Sequence, residues 1–191
     1  ALGLGVLLAA PGLWTSVRLD VLLAREDTRT LAYRWIEQNV PHDVPILILG
    51  GPECEPQVLE APASLERRAE YVTRLYGRRA GNVVSEPYRL QMRDPRRAQR
   101  GYQVYRNPAT PPAGRQRLLV LPDYPLRMAH VEPAALQPYQ GTVLRSVEFE
   151  ALSGDWTDFE LDGGDAFFLP WNHLDRVTRP GPHLRLVLII E

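Results

Sequence analysis

The chain contains no lysine; all 22 of its basic residues are arginine. Schiff-base chemistry and a phosphate-binding loop closed by lysine are therefore excluded. Arginine, alanine, proline and glycine share GC-rich codons, so genome composition accounts for the bias. Cysteine is nearly absent too. Cys54 stands alone, so there is neither an internal disulfide nor a thiolate cluster for zinc. His42 is the nearest base in sequence, but nothing in the spacing pairs the two, and Cys54 reads as a buried or incidental thiol. The four histidines, His42, His130, His173 and His183, lack the H-x-x-x-H and H-E-x-x-H spacings of a zinc site. No G-x-S-x-G marks a serine nucleophile. An excess of charge is missing as well: 22 arginines against 23 acids leave a net charge of −1. No global basic field draws nucleic acid to this chain. Internal repeats and low-complexity tracts are absent.

What is present is a composition able to fold. The 191 residues are 45% hydrophobic and 24% charged, enough to bury one core. In "DTRTLAYRWIEQNVP", Asp27 is a good N-cap, Leu31, Ala32, Trp35, Ile36 and Asn39 share a face, and Pro41 ends the helix. "PILILGG" reads as a buried strand feeding a turn. "SLERRAEYVTRLYG" predicts a second helix, with Ser64 before it, Leu65, Ala69, Val72 and Leu75 or Tyr76 inward, and Gly77 at its end. "EPYRLQMRDPRRAQR" reads as a solvated loop or short helix. "YQVYRN" alternates like an edge strand, and "RLLVLPDY" is a second buried strand ending at Pro122. "EPAALQPYQG" suits a short helix, "TVLRSVEFEAL" a strand with one wet face, and "HLRLVLIIE" a terminal strand. The expected fold is a single α/β domain, Rossmann-like in layering, whose mixed sheet has a parallel core and late antiparallel strands, covered by helices.

The chain opens on "ALGLGVLLAAPGLW", fourteen residues without charge. As a helix they span about 21 Å, short of a bilayer core of about 30 Å. Three readings compete: the tail of a signal sequence lacking its basic region, a buried core segment, or the outer end of a transmembrane helix. The absence of an initial methionine favours the third. Residues 1–14 are then the end of a truncated transmembrane helix, and 15–191 the domain it carries. Arg18, Arg25 and Arg29 follow the run, mixed with Asp20, Glu26 and Asp27.

Several stretches invite a functional reading. "LILGGPE" places Gly50 and Gly51 after the first strand, but Pro52 removes a donor and Glu53 repels phosphate, so a plain strand-end turn is favoured. "DWTDFELDGGD" carries Asp155, Asp158, Glu160, Asp162 and Asp165 without the EF-hand register, and reads as a solvated loop pinned to the core by Trp156 and Phe159. Arg93, Arg96, Arg97 and Arg100 form a cluster suited to anionic lipid or phosphate, or to a wet loop. In the closing segment, "FFLPW" supplies apolar anchors and "RPGP" a rigid bend in which Gly181 is free to take positive φ. The segment locks the end of the chain.

These residues also carry a resemblance. "REDTRTLAYRWIEQNVPHDVPILI", with Asp27, Thr28, Arg29, Trp35, Ile36, Asn39 and Pro41, resembles the segment after the last transmembrane helix of polytopic, lipid-phosphosugar-dependent glycosyltransferases, bacterial relatives of the dolichyl-phosphate-mannose protein mannosyltransferases. "LLVLPDYPLRM" and "DAFFLPWNHLDRVTRPGPHLRLVLI" are similar to later segments of that family. Residues 52–115 lie outside the resemblance. It implies a transferase moving sugar from a polyprenyl-phosphate carrier at the outer membrane face, with its catalytic carboxylates in an early extracytoplasmic loop. No catalytic, cofactor or metal residue carries over to this chain. The expected role is a non-catalytic, membrane-anchored C-terminal domain on the periplasmic or extracytoplasmic side. Its partners would be the membrane-embedded part of the same polypeptide and an acceptor or lipid headgroups. The alternatives are a free-standing α/β enzyme, a hydrolase or nucleotide-sugar user working around Gly50, Gly51 and Glu53, and a structural or partner-binding ectodomain on one membrane helix.

Overall fold

The apolar run after Pro45 becomes the centre of a sheet. The structure is a computed structural model describing residues 2–124, 126, 129–154, 156, 158–161, 168–170 and 172–191, with the side chains of 2–9, 75 and 78–80 excepted. Strand β1 (Ile46–Ile48) lies between two parallel partners, β2 (Val104–Arg106) and β3 (Gln116–Pro122). Antiparallel β4 (Thr142–Phe149) and β5 (Leu184–Ile190) complete the order β2-β1-β3-β5-β4. This is the mixed, partly parallel sheet expected of the sequence.

β1 is apolar throughout because both of its faces are covered. Ile46 and Ile48 enter one cluster with Ala32, Ile36, Tyr124, Phe168 and Leu186. Leu47 and Leu49 enter a second, smaller cluster with Tyr139, Val187 and Ile189. Trp156 and Phe159 pack at the margin of the first cluster, as expected of the acidic loop.

Among the described residues four α-helices accompany this sheet, and α2 packs on it most directly. α2 (Thr28–Asn39) is capped by Asp27, whose carboxylate accepts from Arg29 N at 2.7 Å. Its buried face runs Thr28, Ala32 and Ile36, slightly rotated from the expected stripe, with Trp35 at the edge. α1 (Leu2–Leu23) passes through Pro11 and Gly12 without stopping, so the helix does not end at Trp14. A proline removes only its own N–H from the ladder. Thr15 and Ser16 hydroxyls donate to the Pro11 and Gly12 carbonyls, each at 3.0 Å. Twenty-two residues make a rod of about 33 Å.

α3 (Pro62–Gln91) corrects two expectations. Ser64 is not ahead of the helix but buried inside it, where its Oγ accepts from Val104 N at 2.8 Å. Arg67 donates to Val104 O at 3.2 Å, so side chains close the free edge of β2. Gly77 does break the helix, at φ 74° and ψ 165°, but the chain re-enters helix as far as Gln91, past Glu86, where a solvated loop or short helix was expected to begin. The reason is Gly81. A side chain there would stand 2.5 Å from the Thr73 Cα, so only glycine lets the returning arm lie against the first. Leu65, Ala69 and Val72 are buried as expected, but Tyr76 is exposed, and the Leu75 side chain lies outside the described residues. α4 (Pro95–Arg100) follows, capped by Asp94.

The hairpin is tied to the sheet by a buried ion-pair network. Arg106 donates to Glu55 at 2.7 Å through both Nε and Nη2, and to Glu60 at 2.8 and 3.1 Å. Arg68 reaches the same acids at 3.3 and 2.9 Å. Burial works against the Arg106 charge, but the hydrogen bonds to Glu55 and Glu60 outweigh it and raise its pKa. Arg106→Met leaves two buried carboxylates with Arg68 as their shared cation and is expected to cost about 3 kcal/mol in urea unfolding. The Glu55→Gln/Glu60→Gln/Arg106→Met triple variant should recover part of that loss. Equal losses in the two variants would show that the network is not the cause.

Candidate functional site

Three segments distant in sequence meet at the carboxyl ends of β1 and β3. Thr28 N donates to Pro180 O at 3.1 Å, and the Thr28 hydroxyl donates to Pro182 O at 2.7 Å. Between those carbonyls Gly181 takes φ 96°, and a Cβ there would overlap Thr28 Oγ1 and the Asp27 carboxylate. The Arg-Pro-Gly-Pro bend therefore serves as the seat of the α2 N-terminus, and the closing segment does act as a lock.

Arg29 binds the third segment. Its Nε and Nη2 donate to Asp27 at 2.9 and 2.5 Å, and its Nη1 to Glu53 O at 2.7 Å. The guanidinium lies 5.6 Å from the Phe168 ring centroid. Below it, Tyr124 packs edge-on to Phe168 at 5.3 Å and donates its hydroxyl to Phe168 O at 2.6 Å. The hydrogen bond to Asp27 raises the Arg29 pKa against the opposing effect of burial, with the Asp27 charge adding to it. The site thus keeps its cation at any physiological pH.

α1 is clamped to the same place. Arg18 donates to Leu174 O and Asp175 O at 3.2 and 2.8 Å, and Arg25 to Thr178 O at 2.5 Å. The acceptors lie in and just after the 3-10 turn Leu174–Arg176. Sequence reasoning weighed these arginines only as charges. Their signal was position, since a lone arginine late in an apolar helix needs carbonyls or water for its donors.

The residues singled out in sequence are dispersed. Gly50 turns at φ 121°, and its backbone N–H and carbonyl pair with the Asn107 amide, each at 2.9 Å. Beside it runs a crevice of about 390 Å³ lined by Asn107, His130, Glu132 and Tyr139 among others. Gly51 and Glu53 lie outside that lining, in the turn leading to Cys54. Cys54 is fully buried, and burial first, then the Glu53 charge, pushes its thiol up to about 12. His42 lies against Tyr102 and His130 near Asp123, while His173 stacks on Phe159 and His183 meets Trp156 edge-on, so the four do not converge. In the acidic loop, Asp158 pairs with Arg176 at 2.9 Å, a bond that lowers its pKa, and Glu160 N donates to Asn172 at 2.9 Å. Asp155, Asp162, Asp165, Phe167 and Trp171 lie outside the described residues. Arg96 is spent on Asp94 and Arg97 on Glu60 O, while Arg93 and Arg100 are exposed. Among the described residues no group of three or more His, Cys, Asp or Glu gathers as a metal site would require.

The polar groups of the junction are thus directed at one another, an arrangement that fixes position. Fold and junction together define a mixed α/β domain with a helical rod clamped at the carboxyl end of its sheet. The chain matches no protein-family model, no curated protein and no solved structure.

Gly181→Ala adds both a positive-φ penalty and a steric overlap with the helix cap, and should lower stability by about 2–4 kcal/mol in chemical denaturation. A loss under 0.5 kcal/mol would mean that the lock is loose. Cys54 should resist a thiol reagent at pH 8 in the folded protein and react stoichiometrically once unfolded; rapid native labelling would contradict the burial that sets its pKa.

Proposed function

We propose that this chain is a non-catalytic accessory domain held at a membrane by α1. We further propose that it is the C-terminal extracytoplasmic domain of an integral-membrane glycosyltransferase that uses a polyprenyl-phosphate sugar. The carrying observation is the surface of α1. Leu13 and Trp14 are 69% and 68% exposed, and Val17, Val21 and Leu23 are exposed beside them. Among the described side chains of α1, only Leu22, near the clamp, reaches the core. An apolar helix with no stripe of its own belongs in a protein core or in lipid, and its described side chains from Leu13 to Leu23 are, apart from Leu22, left out of the core. Among the described residues no helix is long and apolar enough to cross a membrane, so the reading is that the apolar end of α1 enters the bilayer.

The transferase part of the proposal rests on the family resemblance. The segments that carry it, around Asp27–Arg29, Tyr124 and Phe168–Pro182, are the ones that meet at the junction, which supports reading them as one unit. That unit would fix the attitude of the domain relative to its membrane-embedded partner, with acceptor or lipid headgroups as further partners.

Two measurements test this. In flotation with neutral phosphatidylcholine vesicles, the native chain should rise with the lipid, and Leu13→Ser/Trp14→Ser/Val17→Ser should cut the bound fraction at least tenfold. Indifference to those substitutions would sink the membrane role of α1. The chain alone, given a polyprenyl-phosphate sugar and acceptor peptides, should transfer nothing; turnover would overturn the non-catalytic role. The crevice beside Gly50 lies at the strand ends where α/β folds hold ligands, which favours a free-standing enzyme as the second reading. Tight, saturable binding of a nucleotide or phospho-sugar there would favour that reading.

A further inference from the structure

Charge is not spread evenly over this nearly neutral chain. Residues 62–100 hold ten arginines and four acids, a local charge of +6, while the remainder holds twelve and nineteen, −7, together giving the −1 of the whole. The positive part is one structural unit, the α3 hairpin with α4, hung on the outer edge of β2. β4, which bears Glu148 and leads to Glu150 and the acidic loop, is the opposite edge of the five-stranded sheet. Four strand spacings separate them, about 19 Å. The basic excess of the chain is therefore concentrated in this one unit.

The hairpin also displays apolar and aromatic groups that its own packing leaves uncovered. Tyr71 and Tyr76 are each 58% exposed on the first arm, and on the second Val83 is 76% and Leu90 52% exposed. Val83, Pro87 and Leu90 recur at helical spacing and line one shallow concavity. Among the described residues neither core cluster contains a residue of the hairpin. Arg74, Arg93 and Arg100 are exposed and carry no ion pair among the described residues. Unneutralised arginines beside exposed tyrosine and aliphatic side chains match the interfacial layer of a bilayer, where cations meet phosphate and the apolar groups enter the headgroup boundary.

We infer that the α3 hairpin and α4 form a second membrane contact that binds the anionic headgroups of phospholipids. This inference rests on the reading that α1 brings the domain to a bilayer. Beside a bilayer that α1 enters, basic side chains within reach of the surface gain about 1 kcal/mol each from anionic headgroups. The occupant is assigned by charge complementarity: a net basic element, with Arg74, Arg93 and Arg100 exposed and not ion-paired among the described residues, selects an anionic surface, and its exposed apolar side chains select lipid over a soluble polyanion.

The test uses the whole chain and vesicles of phosphatidylcholine with or without 30% phosphatidylglycerol, in 0.1 M salt. The native protein should bind the anionic vesicles at least tenfold better. Arg74→Glu/Arg93→Glu/Arg100→Glu should abolish that preference while leaving neutral-vesicle binding and the thermal midpoint unchanged, since none of the three residues is ion-paired. The α1 variant Leu13→Ser/Trp14→Ser/Val17→Ser should lose neutral-vesicle binding yet keep a salt-sensitive preference for phosphatidylglycerol. Failure of α1 and failure of the hairpin thus give different patterns. Equal binding of both vesicle types by the native chain would overturn the inference. So would a preference that survives arginine reversal. Charge-dependent capture of a soluble polyanion such as polyphosphate, without the vesicle preference, would also overturn it, because the hairpin would then be a polymer site.

Discussion

The structure depends on the closure between residues 27–29 and 180–182. A helix N-terminus leaves four backbone N–H groups without partners inside the helix, and something must answer them. Here Asp27 answers one, while the Pro180 carbonyl takes the Thr28 N–H. The last strand cannot reach its slot between β3 and β4 without bringing this bend along, and the bend cannot sit there unless residue 181 lacks a side chain. Sheet order, helix start and chain end are thus solved at one point. Arg29 extends the solution to the turn after β1, and Arg18 and Arg25 extend it to the rod outside.

That closure also sets the chemical character of the carboxyl end of the sheet. In many α/β proteins this end is left open for a ligand. Here, on the face covered by α2, it is filled by a guanidinium, two aromatic rings and a proline-rich bend. The polar groups face one another, and the nearby thiol is protonated across the usual range. The crevice on the other face is shaped by the Asn107 amide paired with Gly50, and Tyr139 donates its hydroxyl to Pro108 O beside it.

Much of the fold was legible in the residues because local and tertiary demands agreed. A strand covered on both sides must be apolar throughout, so "PILIL" and "RLLVL" announced the centre of the sheet. The cap at Asp27 is a local event and could be read as such. What escaped depended on long-range partners. Ser64 resembles a helix cap until Val104 arrives to use its hydroxyl. The second arm of α3 contains Pro87 and a surplus of arginine, signs of a loop; Gly81 against Thr73 and the buried Ser85 make it a helix. The candidate site was legible as separate motifs, while their convergence was not, because spacing along the chain says nothing about which bend receives which cap.

The hairpin stands apart from both hydrophobic clusters and meets the sheet mainly through Ser64, Arg67 and the network around Arg106. Evolutionary drift should therefore act on the two parts at different rates. Positions in the core are coupled through volume, whereas those along the hairpin answer to Gly77, Gly81, a few polar anchors and the short buried row Leu65, Ala69 and Val72. Among relatives of this chain, the hairpin would be the segment free to lengthen, shorten or change its charge while the sheet beneath keeps its shape.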